Sequence, residues 1–206
     1  MVTAQAGRNF PDVQPNDPDG PLVLAVLGGD HRAFDRLVER LQTRVYRFVL
    51  KQVRRPEEAE DLTQETFLEV FRKLANFKGA SRFSTWVMGI ALNLARNHRR
   101  KAPEYRYDMA SEDNVPETAD EGPTPHQSLE NKAFAGAVQE AMRGLPDDVR
   151  EAVVLVSLEG MSYEEASAVS GAPVGTMKTR VFRGRKMMRE AMAQKKQDEF
   201  LEPSEP

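Results

Sequence analysis

Residues 159–192 read EGMSYEEASAVSGAPVGTMKTRVFRGRKMMREAM: a short helix, a tight turn and a second, basic helix. Ser162 is a good N-cap, and Glu165 three residues on completes a capping box. The first helix stops near Gly171, a residue that tolerates positive φ. Pro173 suits the first position of a new helix. In that helix Val174, Met177, Val181, Gly184, Met188 and Met192 share one face, while Lys178, Arg180, Arg183, Arg185, Lys186 and Arg189 fill the others. Between Gly175 and Lys196 stand eight Lys/Arg and one acid, Glu190. A charge run is often no more than a solvated face. The turn and the short helix before it favour a helix-turn-helix that lays its second helix in the DNA major groove. The packed face anchors the helix. The basic faces meet phosphates and base edges, and Arg can bond bidentately to guanine.

The rest of the chain narrows the function. Its 206 residues allow one or two domains, and 40% hydrophobic with 30% charged residues suits a helical globular protein. The net charge of −3 is no global nucleic-acid signature, but the charge is segregated along the chain. The absence of cysteine excludes disulfides and thiolate metal sites. His31, His98 and His126 are far apart in sequence, so no metal and no cofactor is expected. No apolar export segment opens the chain, and its longest uncharged run, Phe83 to Ala95, is shorter than the roughly 20 residues that span a bilayer. A cytoplasmic protein without membrane insertion is expected. No nucleophile–His pair, P-loop or metal cluster is visible, so no enzyme is expected either.

Residues 1–18, rich in Pro, Asp and Asn, are expected to be disordered. From Pro21 a short apolar helix ends at Gly28-Gly29, and Asp30 can cap a long amphipathic helix through Leu37, Leu41, Val45, Phe48 and Val49. Pro56 can open a third helix, with Glu57 and Glu58 at its positive end. Its expected buried stripe is Leu62, Thr66, Phe67, Val70, Phe71 and Leu74, with Asp61, Gln64, Glu65 and Glu69 on another face. After the loop of residues 76–82, Ser81 or Ser84 can cap a fourth helix that ends before Pro103, with Phe83, Val87, Ile90 and Leu94 inward. Arg82, Trp86, Gly89, Asn93, Arg96, Asn97 and Arg100 share a different stripe. Aromatics, amides and arginines on one stripe suit an unpaired nucleic-acid strand, whose bases stack on Phe77 or Trp86. Trp86 reads equally well as a core residue.

Residues 102–129 carry four prolines and one base, Arg106, among many acids, and show no helical period. They are expected to be a flexible acidic linker between two domains. A helix from Glu130 to Arg143 should turn Ala133, Phe134, Ala137 and Ala141 or Met142 inward. Pro146 should start the next, packing through Val149, Ala152, Val153, Val156 and Leu158. The domain is expected to end near residue 195, with 196–206 a disordered tail.

Two segments of this chain resemble one family in the same order. Leu145–Pro146, Ser162-Tyr163-Glu164-Glu165, Pro173-Val174-Gly175-Thr176, Lys178-Thr179-Arg180 and Phe182-Arg183 resemble region 4 of bacterial sigma factors, of the extracytoplasmic-function (ECF) type. Asp30 with Ala33-Phe34, then Asp61-Leu62-Thr63-Gln64-Glu65, Phe67, Phe77-Lys78-Gly79, Phe83, Thr85-Trp86, Ile90-Ala91, Asn93 and Asn97 resemble region 2. The resemblance covers roughly residues 20–101 and 130–192. It departs at Met88-Gly89, at Ala166-Ser167, and at Gly184, which costs a helix roughly 1 kcal/mol against Ala.

The resemblance implies an all-α protein of two helical domains, residues 19–101 and 130–195. Its partners would be core RNA polymerase, promoter DNA and an anti-sigma factor. By resemblance, Thr176, Lys178, Thr179, Arg180, Phe182, Arg183 and Lys186 would read a duplex −35 element. Phe77, Lys78, Ser81, Arg82, Trp86, Asn93, Arg96, Asn97 and Arg100 would hold the single-stranded −10 element. Asp61, Gln64 and Glu65 match the face that docks on a basic coiled coil of the polymerase. The alternative is a helix-turn-helix regulator acting on duplex operators without polymerase. It leaves Asp61–Glu65 and Phe77–Asn97 unused.

Overall fold

A computed structural model describes residues 11–53, 55–101 and 125–201, with side chains except at 125–133 and 196–201. Every regular element among them is helical. The chain divides into two compact units, Met1–Tyr107 and Asp108–Pro206.

The first unit is built on α2 (Arg32–Val53), against which α1 (Gly20–Leu27), α3 (Pro56–Lys73) and α4 (Phe83–Lys101) pack. Asp30 caps α2 as expected, its Oδ1 accepting from the Arg32 N–H at 3.1 Å. Leu37, Leu41, Val45, Phe48, Val49 and Val53 then fill the core from one face. Pro56 opens α3, whose missing N–H would be unpaired there anyway. Glu57 and Glu58 sit at its positive end, and Arg72 and Lys73 at its negative end. The hydrogen bonds Glu69 accepts from Lys73 (2.7 Å) and Arg72 (3.0 Å) hold its carboxyl below the ordinary carboxylate range. Arg99 turns away from the outer stripe of α4. It donates to the Gln52 carbonyl at 2.9 Å and to its side-chain oxygen at 3.2 Å, closing the C-terminal end of α2.

Three expectations for this unit are corrected. Residues 11–18 are not disordered: Asp17 is buried and hydrogen-bonded, and Arg40 donates to the Pro18 carbonyl at 3.2 Å. Beside it, burial pushes the Asp19 carboxyl above its usual range, against the pull of Arg40 at 3.3 Å. Residues 1–10 lie outside the described residues. On α3, Ala59 and Thr63 are buried where Phe71 was expected; Phe71 is 48% exposed. A 3₁₀ turn at Leu74–Asn76 follows α3, with Leu74 inward as expected and Phe77 buried after it. On α4 the inner face is Met88, Ala91, Leu92 and Ala95 with Phe83 and Val87, while Ile90 and Leu94 are only half-buried.

The second unit packs α5 (Pro125–Arg143), α6 (Asp147–Val153) and α7 (Tyr163–Ser170) against α8 (Val174–Leu201). Helix starts at residue 125, inside the expected linker, and α8 runs to Leu201, inside the expected tail. Residues 102–124, the remainder of the acidic linker, and 202–206 lie outside the described residues. Phe134, expected inward, is exposed, while Ala141 and Met142 are buried as expected. After α6, Val154–Leu158 form a π-helical turn, with the Glu159 N–H on the Val154 carbonyl at 2.9 Å. Its extra residue shifts the face, so Val154 and Leu155 are buried and Leu158 is not. Gly184 sits buried against α6: a Cβ there would lie 2.4 Å from Val153 Cγ2 and 2.9 Å from Val149 Cγ1. What looks like a defect in helix propensity is the contact that brings α8 down onto α6.

Candidate nucleic-acid interfaces

In the second unit, local chemistry builds the helix-turn-helix. Ser162 Oγ accepts from the Glu165 N–H at 3.1 Å, and Glu165 accepts from the Ser162 N–H at 2.9 Å, forming both halves of the capping box. Gly171 ends α7 in the left-handed conformation, φ 74°. Ser167 Oγ donates to the Ala172 carbonyl at 2.7 Å, and Ser170 Oγ accepts from the Ala172 N–H at 3.2 Å. The turn is thus tied to the helix before it. Pro173 stands one place before α8, its carbonyl accepting the first bond from Met177 N–H at 3.0 Å. Met177 and Val181 are buried and hold the helix by its inner side.

The outer side of α8 sorts the expected duplex-reading residues. Lys178, Thr179, Phe182, Arg183 and Lys186 are exposed, Phe182 at 69%. Arg183 has no hydrogen-bond or ion-pair partner among the described residues, so its guanidinium fork is available. Lys178 lies over the Tyr163 ring of α7, 5.7 Å from its centroid. Thr179 donates to the Gly175 carbonyl at 3.0 Å. Among the described residues Lys186 has only a loose partner, Glu190 at 3.8 Å. Thr176 is half-buried. Arg180 is also half-buried and pairs with Asp148 at 3.0 Å, so it braces α8 on α6 rather than standing free.

In the first unit, α4 and the loop before it carry the expected strand-binding stripe. Lys78, Arg82, Asn93, Asn97 and Arg100 are exposed, and Ser81, Trp86 and Arg96 are half-buried. Asn97 accepts from Arg100 one turn on. Phe77 needs correction as an open stacking platform. It is 4% exposed, edge-on to Phe83 at 5.5 Å and tilted on Trp86 at 5.2 Å. Trp86 packs on Phe77 and Phe83, as its core reading expects, and is half-buried.

Asp61, Gln64 and Glu65 are all exposed on α3, on the side opposite its buried stripe. Sequence reasoning missed what lies beside them. Gln64, Leu68 and Phe71 of α3 face Phe34 and Val38 of α2 across an open groove of roughly 440 Å³. Leu68 is 58% exposed. Exposed apolar side chains rimmed by polar ones mark interaction surfaces. Phe71 fell at the period of a helix core, which is why it read as an inner residue, and Leu68 was not read at all.

No group of His, Cys, Asp or Glu among the described residues could hold a metal ion. No helix among them is long and apolar enough to cross a membrane.

Comparison with known proteins bears on both units. Residues 37–103 match the family model of Sigma-70 region 2, and residues 135–188 match Sigma-70, region 4. The chain is 35% identical over 184 residues to the RNA polymerase sigma-H factor of Pseudomonas aeruginosa, covering 85% of this chain and 94% of that one. It is 35% identical over 173 residues to the ECF RNA polymerase sigma-E factor of Escherichia coli, covering 81% and 90%. Among solved structures it is similar to the sigma factor RpoE in complex with the anti-sigma factor NepR from Bartonella quintana. The TM-score is 0.63 and the identity 26%, over 78% of this chain and 96% of that one.

Proposed function

Because this chain belongs to the extracytoplasmic-function (ECF) RNA polymerase sigma factors, we propose that it binds core polymerase and directs it to promoters. One observation carries the reading over a polymerase-free regulator. The same chain holds a helix-turn-helix with an exposed basic side and, in its other unit, an exposed acidic–amide face beside an open apolar groove. A regulator of duplex operators has no use for the second. The chain is a transcription initiation factor, and the chemistry belongs to the polymerase. Its place of work is the cytoplasm, and an anti-sigma factor is among its partners.

The residues divide the labour as follows. Lys178, Thr179, Phe182 and Arg183 enter the −35 major groove, with Thr176 at its edge and Lys186 on the backbone. Lys78, Ser81 and Arg82 meet the unpaired −10 strand with Trp86, Asn93, Arg96, Asn97 and Arg100. Asp61, Gln64 and Glu65, with Leu68 and Phe71 beside them, dock on the polymerase.

Transcription by purified core on promoter templates tests this. Specific transcripts should appear only when the chain is added. Reversing charge at Asp61 and Glu65 should weaken core binding, with the circular dichroism of the protein unchanged. Unaltered affinity in that double variant would remove the acidic face from the interface.

The −35 assignment has its own test. Arg183→Ala should cost roughly 1–3 kcal/mol and relax preference at one position. Lys186→Ala should weaken all duplexes alike and lower the salt slope by about one. Both are read from affinities for matched and singly substituted duplexes across a salt series. A uniform loss in Arg183→Ala would make Arg183 a phosphate clamp.

A further inference from the structure

The loop between the 3₁₀ turn and α4 is tied at its middle and at its far end to a segment far upstream. The first N–H groups of an α-helix have no partner within the helix. At α4 neither Ser81 nor Ser84 supplies one. The Phe83 N–H instead donates to Asp17 Oδ2 at 2.6 Å, and the other oxygen of Asp17 accepts from the Asp19 N–H at 3.1 Å. Gln14 Nε2 donates to the Ala80 carbonyl at 3.3 Å. Gly79, at φ +74°, lies so close to the strap that a Cβ there would be 2.1 Å from the Asp12 carbonyl oxygen. Asp17 itself is buried.

What the loop carries gives these contacts a consequence. Lys78 and Arg82 are exposed on it. A short glycine-containing loop has many shapes, and ordering it costs entropy whenever a ligand must do so. Here the strap orders it in advance. The Asp17 carboxylate also occupies the positive end of α4, where a DNA phosphate would otherwise be drawn. The strand backbone is left to Lys78 and Arg82.

We propose that Asp17 is a positioning residue for promoter strand opening: by seating residues 11–19 on the start of α4, it holds the Lys78–Arg82 loop in the shape that receives the unpaired strand. This rests on the assignment of that loop to the −10 element.

The test uses the full chain assembled with core polymerase. The rate of open-complex formation is followed on a promoter and on versions singly substituted in its −10 element. Asp17→Ala should lower the ratio between best and substituted templates about fivefold, the worth of a typical helix cap. Asp17→Asn keeps an acceptor oxygen for the Phe83 N–H and should restore most of the ratio. A slower rate by the same factor on every template would make Asp17 a cap that serves folding alone, and would overturn the proposal. So would an unchanged ratio. Should Asp17→Ala fail to fold, Gln14→Ala decides: a ratio lowered about twofold supports the strap, and an unaltered one sinks it. Lys78→Ala separates this from the reading beneath it. If Lys78→Ala leaves opening intact, the loop is not the strand's site. If it impairs opening while Asp17→Ala does not alter the ratio, only the role of Asp17 falls.

Discussion

Phe77→Ala is expected to cost the N-terminal unit roughly 3–5 kcal/mol, the usual loss for a buried Phe truncated to Ala. The ring is buried and packs on Phe83 and Trp86 with centroids 5.5 and 5.2 Å away. Both partners sit on the first turn of α4, which is otherwise pinned by the Asp17 cap, so little can collapse into the space left behind. Domains of this size are stable by only about 5–15 kcal/mol in total. The melting temperature should therefore fall by roughly 12 °C or more. Near the lowered melting temperature transcription should drop alike on duplex and pre-melted templates, because there the fraction folded is what changes. A variant that melts normally yet fails only on duplex templates would return Phe77 to direct contact with an unpaired base.

Gly184→Ala should lower the stability of the C-terminal unit, although helix propensity argues the reverse. In an open helix the change would add about 1 kcal/mol of stability. Here the new methyl would meet Val153 Cγ2 at 2.4 Å and Val149 Cγ1 at 2.9 Å. Both neighbours are β-branched on a helix, and their side chains have essentially one rotamer to occupy. The methyl can be accommodated only by moving α8 off α6, at the roughly 1–3 kcal/mol that overpacking costs. The steric loss outweighs the propensity gain. Each net kcal/mol should show as about 4–8 °C in the melting temperature. Affinity for −35 duplexes should fall with it, since α8 carries Thr179, Phe182 and Arg183 and is aimed by that contact. A raised melting temperature would show that the two helices already have room between them.

These two residues mark where sequence reasoning stops. Periodicity placed α2, α3, α4 and α8, and residue chemistry within a turn placed the starts of α2, α3 and α7 and the end of α7. Ser162 with Glu165, Asp30 with Arg32, Pro56 and Gly171 act on neighbours within a few positions, so spacing alone revealed them. The exposed basic side of α8 was legible for the same reason, as was the exposed run Asp61, Gln64 and Glu65. The cap of α4 was not, because its carboxylate comes from Asp17, 66 positions upstream. Nor was the exposure of Phe71 beside the burial of Phe77, since the two are equally apolar and only the segments packed around them differ. Arg180 looked like its basic neighbours until Asp148 was found across from it on α6. Gly184 looked like a weak point until the α6 valines appeared beneath it. Local bonds are written in neighbouring residues. Which side of an apolar helix faces inward, and which cation already has a partner, depends on surfaces that meet only when distant segments pack.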